Sequence, residues 1–346
     1  MPDARNAITI TTSVVVNPNA VQPYGTPLVA GESNYATKNT IVHYTSLTDV
    51  GTDHGTSSKV YKAVFSLWAQ GIRNVYVMSL QVATVGSPTT TEVTTALVLI
   101  DAAVSAGQFH GACLAGITDI TLLEKLQVAA DRAGIVFTAT NTEGDTTSTI
   151  VANAASIESV NGFFVAYKSS TNDAYDIAAA ALGAIFATKP WYPMAWVKVV
   201  CDVDGYFTPS EVTTLEAGHV NVIIDEDDTN RLSNGLSTYT TLRYLDVTRS
   251  RYEIESRIKS AIATARLAAG KVPYTAKGLQ VVRGWIVLAL ESLVSDGALS
   301  DYSVTMPVFD NISDGDRASR ILEGVEVSAT LANDIQSFSL ALTITV

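Results

Sequence analysis

Residues 57–80 read S-S-K-V-Y-K-A-V-F-S-L-W-A-Q-G-I-R-N-V-Y-V-M-S-L, and this stretch sets the class of the fold. Its first part, 57–70, has apolar side chains at helical spacing, namely Val60, Val64, Leu67 and Trp68. Gly71 follows where a helix commonly ends, and 74–80 is an apolar stretch of strand length. A short buried strand is also predicted at 26–31. Together they form a β-α-β unit, whose long crossover makes the two strands parallel.

The same alternation continues along the chain. Further helices are predicted at 91–106, 120–132, 147–156 and 173–187, and further strands at 111–114, 135–139 and 162–167. Helices that alternate with strands build a layered sheet flanked by helices. We therefore assign 26–238 to an α/β domain, preceded by an N-terminal arm and strand over 1–25.

The character of the sequence changes after residue 238. A strand is predicted to end at 244–247, and two helices follow at about 249–269 and 275–295. The second helix has one apolar face, formed by Leu279, Val282, Ile286, Leu290 and Leu293. Three strands are predicted after it, at 302–309, 322–331 and 337–346. Two helices against a small sheet make a smaller α+β domain over 239–346.

Both ends of the chain are strands without a charge or a proline. Residues 337–346 read S-F-S-L-A-L-T-I-T-V, whose alternating apolar side chains are Phe338, Leu340, Leu342, Ile344 and Val346. Residues 7–16 read A-I-T-I-T-T-S-V-V-V, whose apolar positions include Ile8, Ile10, Val14 and Val16. Exposed apolar strand edges pair with other chains unless charge or proline blocks them. We expect both strands to be donated to neighbouring subunits.

The composition points to a chain with little charge on its surface. Of its 346 residues, 47% are hydrophobic and only 16% charged, against roughly 25% charged in an ordinary soluble protein. Burial against other subunits and a surface of Thr, Ser and Asn explain this equally well. The net charge of −12 argues against a nucleic-acid partner, because such binding rests on clustered Lys and Arg.

Targeting and redox signals are sparse. No signal peptide opens the chain, and no apolar run reaches the roughly 18 residues of a membrane span, so direct membrane insertion is not expected. Cys113 and Cys201 are isolated in apolar surroundings, which favours buried thiols over a disulfide or a metal site.

Motifs for nucleotide, phosphate or nucleophilic chemistry are absent. No G-x-G-x-x-G, P-loop, G-x-S-x-G, H-E-x-x-H or C-x-x-C occurs, so no cofactor is expected. The four histidines lie in unrelated contexts and are interpreted as loop or strand-end residues: His43, His54, His110 and His219.

The sharpest local signal is D-V-D-G-Y-F-T-P-S-E at 202–211. Asp202, Asp204 and Glu211 are oxygen ligands of the kind that calcium uses, but the glycine and the glutamate come too early for an EF-hand loop. The alternative is a turn followed by a helix that is capped near Thr208 and has Pro209 at its first position. The acidic run at 225–228 is interpreted in the same way, as a solvated loop.

Several segments resemble contractile tail sheath proteins, a family of tailed viruses and related contractile injection machines. Residues 244–249 read Y-L-D-V-T-R and precede Ile254, Glu255 and Ile258, which is similar to the family's Y-I-N-V-R-R … I-E-x-x-I. Three more segments resemble family elements in the same order. They are 61–80 (Y-A-V-x-x-F-F-x-N-G-G-x-x-x-Y-V-V in the family), 215–223 (L-x-x-x-G-I-N-x-I) and 295–299 (x-x-G-A-L).

The chain also departs from the family pattern. The opening P-G-V-Y is absent, and the G-x-x-x-W-G-A-R-T stretch is replaced by 225–238, which has Arg231 and no Trp. No role is carried over for that segment.

The resemblance implies a structural protein and not an enzyme. It implies a helical homo-oligomer of stacked hexameric rings around an inner tail tube protein, knitted together by strand exchange, with baseplate and tail terminator proteins as further partners. The sheath shortens to drive the tube through a target envelope. Its location would be a virion tail or injection particle assembled in the host cytoplasm. The alternative from a different class is an α/β enzyme or ligand-binding protein whose site is built from scattered loop residues.

Overall fold

The structure is a computed structural model that describes residues 7–10, 25–84, 86–105, 108–171, 174–320 and 322–332. By its contacts the chain divides into two compact units. The α/β unit spans Gln22–Arg249, and the C-terminal unit joins Met1–Val21 to Ser250–Val346.

The strands of the described residues are numbered in chain order. They are β1 (Ala7–Ile10), β2 (Pro27–Gly31), β3 (Ile41–Tyr44), β4 (Val75–Ser79), β5 (Gly111–Ala115), β6 (Val136–Thr140), β7 (Gly162–Ala166), β8 (Ser169–Ser170), β9 (Val203–Gly205), β10 (Asn221–Asp225), β11 (Asn230–Leu232), β12 (Leu299–Thr305) and β13 (Glu326–Leu331).

The helices are numbered in the same way. They are α1 (Leu47–His54), α2 (Lys59–Ala69), α3 (Thr90–Ser105), α4 (Ile120–Ala133), α5 (Thr147–Ser156), α6 (Ile177–Ala187), α7 (Pro209–Ala217), α8 (Leu245–Ala269), α9 (Ala276–Ser295) and α10 (Asp314–Ser319), with a 3₁₀ turn at Phe309–Asn311.

An eight-stranded sheet forms the centre of the α/β unit, in the order β11-β10-β7-β6-β5-β2-β4-β3. Its six inner strands are parallel, and β3 and β11 at the two ends are antiparallel to their neighbours. The β-α-β prediction for 26–80 is confirmed, since β2 and β4 pair in parallel with Leu28 opposite Tyr76. Because β2, β5 and β7 are buried on both faces, they are continuous apolar runs rather than alternating ones. The strand β6 is buried as well, and the hydroxyls of its Thr138 and Thr140 donate to backbone carbonyls.

Helices cover both faces of this sheet, as the sequence predicts. Helices α3, α4, α5 and α7 pack on one face, where Leu97, Leu126 and Ile150 are fully or nearly fully buried. Helices α1, α2 and α6 pack on the other face, with Val64 and Leu182 in the core. The alanine-rich α6 is apolar on every side because it lies between the sheet and α2.

Close packing of α2 on α6 depends on a glycine. A Cβ at Gly183 would lie 2.7 Å from Cγ of Gln70, which is too close for an unshifted contact. The Gln70 side chain is fixed there, because Nε2 donates to the Val200 carbonyl at 2.7 Å and Oε1 accepts from the Val200 N–H at 3.0 Å. The segment after α6 is thereby fastened to the end of α2.

The edge of the sheet beyond β11 is closed by an extended segment at 196–199. The N–H of Trp196 donates to the Leu232 carbonyl at 2.8 Å, and the N–H of Val199 donates to the Asn230 carbonyl at 2.9 Å. Arg249, which is 5% exposed, supports the loop that leads to this segment, since Nη2 donates to the Thr188 carbonyl at 2.8 Å. The chain itself therefore supplies hydrogen-bonding partners for the outer edge of β11.

The C-terminal unit has a three-stranded antiparallel sheet in the order β1-β13-β12. Helix α9 packs against β12, and the side chains of α9 that are buried include Leu279, Ile286, Leu290 and Leu293, four of the five residues predicted for its inner face. Arg257 of α8 holds the end of α9, because Nη1 donates to Ser292 Oγ and to Asp296 Oδ2 at 3.2 and 2.9 Å.

By length and composition alone, α9 is long and apolar enough to cross a membrane, which the sequence analysis did not foresee. That analysis looked for an uninterrupted apolar run, whereas α9 contains Lys277, Arg283 and Glu291. Two of these charges contact β12: Arg283 Nε donates to the Val304 carbonyl, and Glu291 accepts from the Tyr302 hydroxyl. These contacts, together with its buried apolar face, are those of a helix packed on a sheet.

Several predicted boundaries differ from the structure. Residues 245–247 begin α8 instead of ending a strand, and β3, α1 and α10 were not predicted at all. Residues 239–249 belong to the α/β unit, although the predicted domain boundary lies at 238. The reason is a set of specific bonds: Leu245 N–H donates to the Gly235 carbonyl, and Thr248 Oγ1 donates to the Val160 carbonyl.

Replacing Arg249 with Met should lower the free energy of unfolding of the α/β unit by about 2 kcal/mol, because the carbonyl of Thr188 loses its charged donor. Urea unfolding monitored by tryptophan fluorescence measures the change. Arg251→Met is the matched control on the same helix. Its side chain is 55% exposed and pairs with Glu255, so the control should shift stability by less than about 0.5 kcal/mol. Equal effects of the two substitutions would contradict the role of Arg249.

Candidate subunit interface

The sheet of the C-terminal unit contains the N-terminal strand β1 of the same chain, beside β13. In the antiparallel β12–β13 pair, Val304 is opposite Val327 and Tyr302 is opposite Ala329. Alternate residues of β13 are buried, namely Val327, Ala329 and Leu331, and Leu299 and Val304 of β12 are buried too. The two strands therefore share one apolar face, which fixes their register.

An irregularity at one end of β12 bends this pair. The register shifts between Leu299 and Asp301, so Ser300 is an extra residue in the strand. Its hydroxyl donates to the carbonyls of Thr330 and Leu331 at 3.3 and 3.4 Å, which ties the bulge to the neighbouring strand.

The outer edge of β12 is open. Among the described residues, β12 pairs only with β13, although it is seven residues long and contains neither Pro nor Lys. Asp301 is its one charged residue. A long strand edge with so little charge is a template for another strand.

The N-terminal strand occupies the opposite edge, beside β13. Ile8 is opposite Ala329 and Ile10 is opposite Val327, so both predicted donor residues lie in register with buried positions. Val14 and Val16 lie outside the described residues.

In the single chain of the structure, the N-terminal strand pairs internally. The sequence analysis treated the N-terminal strand as one whose partner lies in a neighbouring subunit, whereas Ala7–Ile10 pairs with β13 of its own chain in the structure. The reason is that an unpaired strand takes the accessible edge, and in a single chain that edge is its own. The donation of this strand to a neighbour stays a prediction.

The C-terminal donor residues are not part of the described structure. Phe338, Leu340, Leu342, Ile344 and Val346 all lie beyond residue 332. Their assignment to a donated strand stays a prediction as well.

The three residues of the weak metal candidate, Asp202, Asp204 and Glu211, make separate hydrogen bonds in the structure. Asp204 accepts from the hydroxyls of Ser169 and Thr171, both at 3.0 Å, and Asp202 accepts from the Ala174 N–H at 2.9 Å. Glu211 forms a capping box with Thr208, whose hydrogen bonds lower the pKa of the Glu211 carboxyl. No group of three or more His, Cys, Asp or Glu side chains that could hold a metal occurs in the described part of the chain.

The alternative interpretation of this segment is confirmed by the structure. Helix α7 begins with Pro209 at its first position and Thr208 as its N-cap, as the sequence predicts.

Sequence reasoning missed one buried polar network. His54 is fully buried, and its Nδ1 lies 2.7 Å from Ser33 Oγ while its Nε2 lies 3.1 Å from the Tyr44 hydroxyl. The Tyr44 hydroxyl donates to Asp53 Oδ2 at 2.8 Å, so it accepts from Nε2, and Ser33 Oγ also donates to Ser79 Oγ at 2.9 Å. The partners in these contacts are 9 to 21 positions apart in the sequence, so no local motif signals them.

This Ser–His contact joins structural elements and does not form a catalytic pair. Burial lowers the pKa of His54 to about 4, so its imidazole is neutral at pH 7 and a weak general base. Tyr35 stacks on the ring at a centroid distance of 4.8 Å, and burial followed by the bond to Asp53 raises the pKa of Tyr44. The network connects β2, β3 and α1 through side chains that satisfy one another.

Comparison with solved structures shows where this fold occurs. A subunit of the contracted sheath of an extracellular contractile injection system, PVC, superposes with a TM-score of 0.72 at 16% identity and covers 98% of this chain and 96% of that chain. A chain of the six-fold symmetrised baseplate of the anti-feeding prophage gives 0.71 at 16% identity, with 98% and 97% covered. A sheath tail protein of Listeria innocua gives 0.63 at 12% identity, with 92% and 94% covered. No family model and no curated protein matches the sequence.

Lowering the pH from 7.5 to 5 should lower the free energy of unfolding of the α/β unit, in part because His54 takes up a proton on unfolding. The pKa of His54 is about 4 in the folded chain and about 6.5 in an unfolded one, so protons bind the unfolded state preferentially as pH falls below 6.5. The loss should reach about 2 kcal/mol at pH 5 for this residue. Urea unfolding across this pH range measures the slope.

His54→Gln should make that slope shallower, whatever its effect on stability at pH 7.5. Some dependence should remain, since burial also lowers the pKa of His110 to about 4. An unchanged slope in the variant would contradict the burial of a neutral His54.

Proposed function

We propose that this chain is a structural subunit of a contractile tail sheath. The observation that carries the proposal is the extent of the structural match: the PVC sheath subunit and this chain cover 96% and 98% of each other at a TM-score of 0.72. A shared insertion or a single common domain would cover much less. The sequence segments that resemble the sheath family support the same assignment independently, because they were identified without the coordinates.

The subunits assemble as stacked hexameric rings around an inner tube and are joined by exchanged strands. Two observations support exchange. The predicted terminal strands carry no charge or proline, and among the described residues no strand pairs with the outer edge of the seven-residue β12. Six-fold order is supported by the neighbour that was solved in a six-fold symmetrised baseplate.

In this assembly, β13 accepts the N-terminal strand of one neighbour, and the open edge of β12 accepts a second strand. The intramolecular pairing of Ala7–Ile10 is then the form that a lone chain takes. Contraction is a rigid-body rearrangement whose energy comes from new contacts between subunits in the shorter state.

The partners of this subunit are further copies of itself, an inner tail tube protein, and baseplate and tail terminator proteins. The baseplate is supported by the anti-feeding prophage neighbours, one of which was solved in a contracted baseplate with a TM-score of 0.73. The particle assembles in the host cytoplasm and acts as a virion tail or injection machine. The protein performs no catalysis, uses no cofactor or metal, binds no nucleic acid and does not insert into a membrane. The alternative of an α/β enzyme rests on scattered residues, and His54, the most suggestive of them, is fully buried.

Deleting 337–346 should leave both units folded and abolish polymerisation, because the donated strand is lost while the core of each unit is intact. Electron microscopy of negatively stained protein should show striated tubes or rings for the parent chain and only small particles for the deletion. Circular dichroism and urea unfolding check that the fold is retained.

Two matched variants of full length test whether assembly depends on the apolar face of the C-terminal strand or on the length of the chain. Replacing the apolar set with Ser should act like the deletion, and this set is Phe338, Leu340, Leu342, Ile344 and Val346. Replacing the intervening Ala341, Thr343 and Thr345 with Ser keeps the apolar face and should leave tubes intact. Tubes of normal length from the truncated chain would contradict strand donation by this end.

A further inference from the structure

One part of the α/β unit is basic in an acidic chain. The sequence contains 34 Asp and Glu residues against 22 Lys and Arg, yet residues 177–201 and 229–245 contain no Asp or Glu. Their cations are Lys189, Lys198, Arg231 and Arg243. The two segments lie side by side, since 196–199 pairs with β11 along the edge of the sheet.

Exposed aromatic rings accompany these cations. Trp196 and Tyr192 are 50% and 46% exposed, and they are the aromatic members of the exposed large apolar side chains in the described structure. Lys189 Nζ lies 5.5 Å from the ring centroids of both Trp191 and Tyr192. We refer to Lys189, Tyr192, Trp196, Lys198 and Arg231 as the basic–aromatic surface.

This surface is held rigid by backbone hydrogen bonds. The carbonyl of Trp196 accepts from Arg231 Nη1 at 3.0 Å, and its N–H donates to the Leu232 carbonyl at 2.8 Å. At the other end of the loop, Arg249 donates to the carbonyls of Thr188 and Lys189. A preorganised surface loses little conformational entropy when a partner binds.

Trp196 adopts a backbone conformation that is costly for a bulky residue. Its φ is +66°, in the left-handed region that favours glycine. Strain of this kind persists where the surroundings impose it, and it concentrates at functional sites. Here the backbone hydrogen bonds of Trp196 impose the strained conformation and fix the position of a half-exposed indole. Trp, Tyr and Arg are also the residues that dominate binding energy at protein interfaces.

The complementary charge lies directly beside this surface, on the turn that precedes β11. Asp225, Glu226, Asp227 and Asp228 form an exposed run at the turn between β10 and β11. Asp204 belongs to the same acidic area: after burial, the charges of Asp225, Asp204 and Asp228 raise the pKa of Tyr206. We call this area the acidic turn. Among the described residues, the carboxylate of Glu158 also reaches the basic segments, where it accepts from Thr240.

We propose that the basic–aromatic surface of one subunit docks on the acidic turn of a second copy of this chain. Because the contacting side chains differ between the two copies, the contact can repeat head to tail and build rings or helical filaments. The aromatic rings supply the apolar centre of the contact, and the cations set its partner and register. The proposal rests on the proposed self-assembly, and it names a contact that is separate from strand exchange.

Charge reversal and rescue test the contact. One variant carries Lys189→Glu with Lys198→Glu, and another carries Asp225→Lys with Glu226→Lys, which avoids the left-handed positions at 227 and 228. Each variant should raise the protein concentration needed for assembly about tenfold, because like charges then face each other. The chain with all four substitutions should assemble within about threefold of the parent, since each contact regains opposite charges. Sedimentation velocity and electron microscopy measure assembly.

Two further variants separate charge from the aromatic ring. Trp196→Asn suits the left-handed backbone and removes the indole, so it should keep the fold and weaken assembly about tenfold. Lys125→Glu with Arg132→Glu on α4 changes the net charge as much as the basic reversal does. This control should alter the assembly concentration less than about twofold.

The outcomes distinguish this contact from the proposed function. If the parent forms tubes and the fourfold variant assembles no better than the two reversals, or if Trp196→Asn assembles like the parent, the docking contact is wrong and the sheath proposal stands. A parent that stays monomeric under all assembly conditions overturns both. Binding of the parent to phosphatidylserine vesicles that is lost in Trp196→Asn, with unchanged assembly of that variant, would assign the surface to a membrane and overturn the contact between copies.

Discussion

Backbone hydrogen bonding at sheet edges is the constraint on which this structure depends. A strand edge that lacks charge and proline presents unpaired N–H and C=O groups, which must find a partner or be solvated. The two units meet this constraint differently. In the α/β unit the edge beyond β11 is closed by residues 196–199, and the opposite edge strand, β3, is only four residues long. In the C-terminal unit, no strand of the described residues pairs with the outer edge of β12, which is seven residues long.

This difference gives the units different roles. The α/β unit is complete in itself, with two apolar cores on the faces of one sheet and a buried network around His54 that joins its strands. The C-terminal unit has a small sheet whose strands come from distant parts of the sequence, because β1 lies at one terminus and β13 close to the other. A sheet assembled in this way can exchange its outer strand with another chain without rebuilding its core.

The elements that could be predicted from sequence are those with a strong period or a clear cap. The β-α-β unit from β2 to β4, the apolar face of α9 and the capped start of α7 all follow from local patterns. The start of α8 was missed, because Leu245 and Val247 have the alternation of a strand and their helical state is fixed by contacts with Gly235 and Val160. Nor could the network around His54 be found, since its members meet only when β2, β3 and α1 are in place. The intramolecular pairing of Ala7–Ile10 was missed for a different reason: two strands more than 300 residues apart carry no local signal that they pair.

The central claim is that a strand partner supplied by the chain itself in isolation is supplied by a neighbour in the assembly. Ile8 and Ala329 are opposite each other in the β1–β13 pair, at a spacing that a disulfide can bridge. The direct test is to oxidise a chain that carries Ile8→Cys and Ala329→Cys, before and after assembly, and to separate the products on non-reducing gels. The account predicts internally linked monomers from the unassembled chain, and covalent dimers and longer series from assembled particles. Internally linked monomers alone from intact tubes would contradict it.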